Sequence, residues 1–289
     1  MECRLCPLEC GADRDTEKGI CGTGNTLLVA KYGLHPYEEP CISGKHGSGT
    51  VFFSGCALRC AFCQNFDLSR AKQGIEITPA QLSALFCELE ERGAENINLV
   101  TASHFVPQLL RAFKIRRPKI PVVYNTHAYE KMEALRALDP YIDVWLPDLK
   151  FYSPKIAARY TGKADYFDFA SRAVAFMAER TPDFVNGMMV SGCIVRHLVL
   201  PLCSDDSVKI VQWFKGLSSP AYLSLMGQYT PCGDIENLPE LKRHITPREY
   251  KKVLTAALDA GIERLFAQEL DSADKEFIPD FSEDTDTLF

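Results

Sequence analysis

The stretch Thr50-Val51-Phe52-Phe53-Ser54-Gly55-Cys56-Ala57-Leu58-Arg59-Cys60-Ala61-Phe62-Cys63 decides how the chain folds. Its first half is a short run of β-branched and aromatic residues, the composition of a strand buried on both faces. Its second half sets three cysteines at C-x3-C-x2-C. Thiolates hold iron–sulfur clusters, and a cubane takes four ligands. Three close thiolates leave one iron open, by the same logic that separates catalytic metal sites from closed structural ones. A structural zinc knuckle is the plainer alternative. It wants four ligands, commonly as two separated pairs, and three cysteines without a nearby fourth fit it poorly.

The chain has 289 residues, enough for one large α/β domain or two small ones. Hydrophobic residues make up 46% and charged residues 24%, as in an ordinary globular protein. The net charge of -6 gives no basic footprint, so nucleic acid is not an expected partner. No apolar run reaches membrane-spanning length, so no membrane is expected either. Met1-Glu2-Cys3-Arg4 lacks the apolar core of a secretory signal. The expected compartment is therefore the cytoplasm. There thiols stay reduced, and clustered cysteines more often bind metal than form disulfides. Of the 12 cysteines, Cys3, Cys6, Cys10 and Cys21 form one group and Cys56, Cys60 and Cys63 another. Cys41, Cys87, Cys193, Cys203 and Cys232 are scattered. Cys87 lies in an amphipathic pattern and reads as a small buried apolar residue.

Working outward from the quoted stretch, residues 1–49 read as a cysteine-rich metal knuckle followed by a connector. The connector holds one short apolar run, Leu27-Leu28-Val29-Ala30. From residue 50 a rhythm begins and lasts to about residue 270. Strands are expected at 50–54, 96–100, 120–124, 142–146, 194–200, 221–226 and 265–267. Helices are expected at 79–92, capped by Thr78 with Pro79 behind it, and at 105–115, with the true start near Pro107. Further helices fall at 130–138, 154–160, 165–180, 205–214 and 247–259, the last capped by Thr246. Short apolar strands alternating with helices imply parallel pairing with right-handed crossovers. An open, incomplete barrel and a doubly wound sheet both satisfy this pattern. In either, a site lies at the carboxyl ends of the strands, where the three cysteines fall. The tail, 271–289, is acidic and expected to be loose.

The cysteine spacing, with the aromatic Phe62 before the last cysteine, is the signature of the radical S-adenosylmethionine (SAM) enzymes, which this chain resembles. The segment Phe62-Cys63-Gln64-Asn65 is similar to the third-cysteine region of glycyl-radical activating enzymes, above all the pyruvate formate-lyase activating enzyme. The resemblance runs over residues 50–230. It is most specific to the PflX-like subgroup, which carries runs like Glu39-Pro40-Cys41-Ile42-Ser43-Gly44, Asn96-Ile97-Asn98-Leu99-Val100-Thr101 and Val195-Arg196-His197-Leu198-Val199-Leu200-Pro201. The resemblance implies an α/β fold, a partial (β/α)6 TIM-like barrel, behind an N-terminal cysteine-rich metal-binding extension. It implies a [4Fe-4S] cluster on Cys56, Cys60 and Cys63. At that cluster SAM would be reductively cleaved to methionine and a 5′-deoxyadenosyl radical that abstracts hydrogen from substrate.

The resemblance also implies roles for single residues. Phe62 matches an aromatic that packs near adenine, and Asn65 an asparagine near the SAM ligand. Thr101-Ala102-Ser103-His104 lies where relatives carry Gly-Gly-Glu, which passes the amine contact to Thr101 and backbone carbonyls. Asn125-Thr126 and Asp148-Leu149-Lys150 match positions that gather a monovalent cation and the SAM carboxylate. Otherwise Asp148 and Lys150 would be a surface pair at a strand end. Arg196 matches an arginine that contacts SAM, and an arginine inside an apolar strand needs a buried anion in any case. Gln228 falls where relatives place a polar adenosine contact. His104 reads as a polar cap neighbour and His197 as core packing.

Cys3-x2-Cys6-x3-Cys10-x10-Cys21 could close a tetrahedral zinc site or carry a second [4Fe-4S] cluster. Zinc is slightly favoured, because the segment has few apolar residues to fold on its own. Cys41 could replace one of the four, and Gly11, Gly19, Gly22 and Gly24 would serve the tight turns. The expected function is that of a radical SAM oxidoreductase acting on a protein or peptide, served by an electron donor such as flavodoxin or ferredoxin. The alternatives are a radical SAM enzyme acting on a small molecule or making another peptide modification, and a non-catalytic metal-binding protein.

Overall fold

The apolar run of the quoted stretch becomes a strand whose six residues are all buried, β2 (Ser48–Phe53). It belongs to a computed structural model that describes residues 2–267; the tail expected at 271–289 lies outside the described residues. Among those residues, ten strands join in one sheet. After β1 (Leu27–His35) and β2 come β3 (Ile75–Ile77), β4 (Ile97–Val100), β5 (Val122–Thr126) and β6 (Val144–Pro147). They are followed by β7 (Asp183–Val185), β8 (Met188–Leu198), β9 (Tyr222–Met226) and β10 (Leu265–Ala267). The strands β2, β4, β5, β6, β8, β9 and β10 are parallel neighbours in that order. Spatial order therefore follows chain order without reversal. A doubly wound sheet reverses at a switch point, so the winding is that of a barrel. Among the described residues the path ends at β10 on one side and β3 on the other, which leaves the barrel open.

Helices fill the crossovers. They are α1 (Pro40–Ser43), α2 (Phe66–Ser69), α3 (Pro79–Glu91), α4 (Val106–Ile115) and α5 (Met132–Leu138), then α6 (Pro154–Thr161), α7 (Tyr166–Ala178), α8 (Ser204–Gly216) and α9 (Pro247–Asp259). Both threonine caps form full capping boxes. Thr78 accepts from the Gln81 amide while Gln81 accepts from the Thr78 amide, and Thr246 and Glu249 do the same for α9. Helix α3 buries Leu82, Leu85, Phe86 and Leu89. Phe86 stacks on Phe113 of α4 at 5.8 Å, and Phe113 stacks on Tyr141 at 5.2 Å. Each such buried side chain contributes about 1.5–3 kcal/mol. No helix among the described residues is long and apolar enough to cross a membrane.

The segment before residue 50 differs from a plain connector. Leu27–His35 is a nine-residue strand that pairs antiparallel with both β2 and β3. Its second half, Lys31-Tyr32-Gly33-Leu34-His35, lacks apolar alternation because it is only half-buried. The cross-strand partners supply the stability that the local sequence does not announce. β8 is likewise longer than its apolar core, because Met188–Ser191 forms a hairpin with β7.

Candidate active site

The chain leaves β2 through a tight turn at Gly55, whose φ is +87°. A Cβ there would stand 2.6 Å from Thr23 Cγ2 and 2.8 Å from the Cys21 carbonyl oxygen, so only glycine fits. His104 Nε2 donates to the Ser54 carbonyl at 2.8 Å, and the Cys56 amide donates to the Cys21 carbonyl at 3.1 Å. The cysteine loop is also gripped beyond this turn. Arg70 stacks on Phe66 at 4.5 Å and donates to the Arg59 carbonyl at 3.1 Å. The Asp234 amide donates to the Ala61 carbonyl at 2.8 Å, and Cys232 Sγ to the Phe62 carbonyl at 3.4 Å. A Cβ on Gly233 would stand 2.1 Å from that Ala61 oxygen, the tightest approach in this loop.

Held this way, the three thiols are shielded from water and lie in each other's field. Burial pushes the Cys56 thiol up to about 11 and raises Cys60 and Cys63 as well; the Lys150 ammonium opposes it at all three. Soft donors in a dry loop beside a fixed cation suit an anionic iron–sulfur cluster. Binding iron would displace the protons that burial otherwise retains.

The thiols open into a cavity of about 210 Å³ at the carboxyl ends of the parallel strands. Cys56, Cys60, Cys63, Phe62 and Asn65 line it from the loop after β2, and Thr101 from the end of β4. Asn125, Thr126 and His127 line it at the end of β5, Asp148 and Lys150 after β6, Arg196 from β8 and Gln228 after β9. Every residue expected around SAM thus borders one space. Phe62 is set edge-on to Phe151, Tyr160 and Tyr229 at 6.1, 6.0 and 6.2 Å, which fixes its ring.

A charged network crosses the cavity. Arg196 donates from Nε to Asp148 Oδ1 at 2.7 Å, from Nη1 to Glu38 Oε2 at 2.9 Å and from Nη2 to Asn125 Oδ1 at 2.5 Å. Lys150 donates to Asp148 Oδ2 at 2.7 Å. Burial works against ionising Asp148, but Arg196 and Lys150 outweigh it and hold its carboxyl down at about 2. The Asp148 charge, against burial, likewise keeps Lys150 protonated. Below this layer Glu130 accepts from Tyr124 at 2.9 Å and from the Thr126 hydroxyl; burial pushes its carboxyl up to about 7. Burial holds His127 at about 4, so it is neutral near pH 7, accepting from the Tyr129 amide and donating to Ser103.

Several expectations are revised by this geometry. Arg196 finds in Asp148 and Glu38 the anions that its strand position demanded, and with Asn125 they clamp it on three sides. Both Asp148 oxygens and the Asn125 oxygen serve Arg196 and Lys150, and the Thr126 hydroxyl serves Glu130. A monovalent cation at those atoms would share them with two fixed positive charges. Cys41 does not join the N-terminal cysteines: it is buried in α1 against Val123, Val144, Leu146, Met189 and Ile194. His104 is no exposed cap neighbour but a buried prop for the cysteine turn. Thr101, placed where relatives carry a glycine, has φ +60°, a left-handed conformation unusual for a β-branched residue. Glu38 is the residue that sequence reasoning missed. Its signal was Arg196, whose place in an apolar strand demanded anions, and one of them lies in the stretch read as a connector.

The N-terminal cysteines also converge. Cys6 lies in the field of Cys21, Cys3 and Cys10, and burial pushes its thiol up to about 11. The Gly19 Cα points between Cys10 Sγ and Cys21 Sγ, 3.3 and 3.4 Å from where its Cβ would be. Burial opposes ionisation of Cys10, yet the amides of Ala12 and Ile20 reach its sulfur and lower its pKa. The segment is pinned to the barrel by Arg14, which donates to the His104 carbonyl at 2.6 Å, and by Lys131, which donates to the Arg4 carbonyl at 3.0 Å.

A larger hollow of about 690 Å³ opens at the other ends of β6 and β8. Four of its charged residues pair with one another, Arg117 with Asp143 at 2.7 Å and Arg180 with Asp139 at 2.5 Å. It contains none of the thiols or expected ligand contacts, so the smaller cavity is the site.

The chain is 27% identical over 277 residues to an uncharacterized protein of Methanocaldococcus jannaschii, covering 91% of this chain and 76% of that one. Its fold is similar to that of Streptococcus suis SuiB bound to S-adenosylmethionine, with a TM-score of 0.51 and 14% identity over 76% of this chain. The chain spans 50% of the length of that protein. A domain of pyruvate-formate lyase-activating enzyme from Bacteroides vulgatus aligns over 57% of this chain and 89% of its own, with 9% identity and a TM-score of 0.40. Residues 50–193, from the strand ahead of Cys56 to Cys193 in β8, match the family described as the radical SAM superfamily, and the chain belongs to that superfamily.

Proposed function

We propose that this chain is a SAM-cleaving enzyme that abstracts hydrogen from a polypeptide, in the manner of a glycyl-radical activating enzyme. The observation that carries this reading is the opening of Cys56 and Cys60, both buried, and the partly buried Cys63 into a cavity ringed by fixed charges. A cluster on those thiols, with SAM, supplies one-electron cleavage to methionine and a 5′-deoxyadenosyl radical. The chain's own residues hold and shield. Lys150 offsets the negative charge gathered at the thiols and offers a donor to a ligand carboxylate. Phe62 presents a fixed ring to an adenine, and Gln228 and Asn65 present polar edges. The Gly233 segment covers the cysteine loop and limits water. The open barrel supports a polypeptide substrate, because its unclosed side gives an extended chain access to the strand ends.

Anaerobically reconstituted protein, reduced with dithionite and given SAM, is expected to yield 5′-deoxyadenosine. An intact cluster with no such product overturns the proposal. A glycyl radical seen by electron paramagnetic resonance after adding a partner protein supports the polypeptide reading. Deuterium transfer from a labelled small molecule into deoxyadenosine counts against it. The proposal includes a reducing partner such as flavodoxin or ferredoxin. It also includes a second metal centre on Cys3, Cys6, Cys10 and Cys21, either zinc or iron–sulfur, for which the support is that Cys6 lies in the field of the other three.

A further inference from the structure

We infer that the outer face of the cysteine loop, marked by Ile20, Arg59, Phe66, Arg70 and Lys72, is where an acidic one-electron carrier docks to reduce the cluster; this rests on the SAM-cleaving reading above. None of the five residues borders the strand-end cavity. That cavity is given to SAM and substrate, so electrons arrive from another side of the loop. The five residues form a continuous surface there. Arg59 Nη1 donates to the Ile20 carbonyl at 3.2 Å, and the Ile20 residue is 46% exposed. Arg59 and Arg70 lie in each other's field. The half-buried Phe66 ring carries Arg70 at 4.5 Å and Lys72 at 5.3 Å. An exposed apolar side chain and an aromatic ring set among arginines are the make-up of a protein contact patch.

Charge selects the partner. The chain carries a net charge of -6, yet neither Arg59 nor Arg70 pairs with a carboxylate among the described residues. Their hydrogen bonds go to neutral acceptors instead: the Ile20, Arg59 and Cys60 carbonyls and the Ser69 hydroxyl. Lys72 answers Asp67 at 2.8 Å, with both side chains mostly in water. Asp234, whose amide donates to the Ala61 carbonyl, brings one opposing carboxylate to the border. The face stays positive on an acidic chain, so an acidic carrier is repelled elsewhere and steered here. The face is also close to the sulfurs. Arg70 Nη2 lies 3.5 Å from the Cys60 carbonyl, and Arg70 stands in the field of all three thiols. Cys63 is itself only partly buried. The step is a single electron transfer: the reduced carrier loses one electron, the cluster gains it, and no atom passes between the proteins.

The test mixes reduced flavodoxin, an acidic carrier, with the cluster-loaded full chain and follows cluster bleaching at low and high salt. Photoreduced deazaflavin, small and uncharged, is the control reductant. Wild-type reduction by flavodoxin is expected to slow about 10-fold or more as salt rises. The double variant Arg59→Gln, Lys72→Glu is expected to be slower by about 10-fold at low salt and nearly insensitive to salt. Its reduction by deazaflavin and its midpoint potential are expected to match the wild type. An unchanged flavodoxin rate overturns the inference, as does a wild-type cluster that deazaflavin reduces and flavodoxin does not. Equal slowing with both reductants, or a shifted potential, would make these side chains counter-charges of the cluster and would also overturn it. Lys72→Glu alone, at an exposed side chain, is expected to slow flavodoxin about 3-fold. It decides the matter if the double variant fails to load its cluster, since no slowing there overturns the inference. Protein that accepts electrons from flavodoxin at this face but forms no 5′-deoxyadenosine removes the SAM-cleaving reading and upholds the docking face.

Discussion

The chain holds two groups of cysteines that meet at one hydrogen bond, and they are built on opposite plans. Cys56, Cys60 and Cys63 hang from the carboxyl end of a buried parallel strand and border a charged cavity. Cys3, Cys6, Cys10 and Cys21 are folded around each other by their own turns, with amides of Ala12 and Ile20 directed at Cys10. The first group opens into a space large enough for a ligand; of the second only Cys21 is buried. Thiol chemistry is therefore assigned less by cysteine count than by what scaffold stands behind the sulfurs and what space stands in front.

Separate removal of each group is the strongest way to break this contrast. Cys60→Ala is expected to drop deoxyadenosine formation to background while leaving the N-terminal metal bound. Cys10→Ala is expected to release the N-terminal metal and lower the melting temperature, with iron retained at Cys56, Cys60 and Cys63. Metal and sulfide analysis of both variants checks the pair, and loss of both centres in both variants would merge the two groups into one. Next in size is the charged wall that only the first group possesses. Asp148→Asn leaves Arg196 and Lys150 buried without their main counter-charge, an imbalance that costs about 3–5 kcal/mol. Urea unfolding measures it, and a change below about 1 kcal/mol would show that the wall is better solvated than its burial implies.

Gly233→Ala sharpens the comparison at the loop itself. The added methyl meets the Ala61 carbonyl at a position whose φ is +80°, so the loop or the covering segment must move. The expected loss is about 1–3 kcal/mol, with iron content falling and the N-terminal metal unchanged. The smallest effect is a pH slope. Burial raises the Glu130 carboxyl from 4.5 to about 7, so the folded chain holds a proton that the unfolded chain releases. Its stabilising contribution is complete below pH 4.5 and is lost as the pH rises through about 7. Glu130→Gln should flatten the decline in stability from pH 5 to pH 8, with both metal contents unaltered. An unchanged slope would place the titration elsewhere.

How much of this was legible depended on how local the cause was. Thr78-Pro79-Ala80-Gln81 carries its own helix start, and Val51-Phe52-Phe53 its own burial, so both could be read from the chain. The cysteine triplet was legible as a motif behind an apolar strand, while Asp148, Lys150 and Arg196 came from the resemblance to the family. The strand Leu27–His35 was only partly visible, because its half-buried second part is stabilised by partners 13 to 21 residues away, such as Val51 opposite Tyr32. Glu38 was hidden for the same reason: its meaning comes from Arg196, far along the chain. Thr101 looks like an ordinary strand-end threonine, and nothing in its side chain announces a left-handed backbone. The choice between barrel and doubly wound sheet needed the strand order, which pattern alone leaves open.

That strand order also sets a timetable. Because spatial order from β2 to β10 follows chain order, synthesis lays the sheet down from one side. Both cysteine groups leave the ribosome before β4. Asp148, Arg196 and finally the Gly233 segment arrive afterwards. The metal ligands are thus delivered to an open cup, and the part that seals it comes near the end. Iron loaded during synthesis should meet less resistance than iron offered to the finished chain. Comparing cluster yield in stalled nascent chains with and without residues 221–267 would show whether the cell uses that interval.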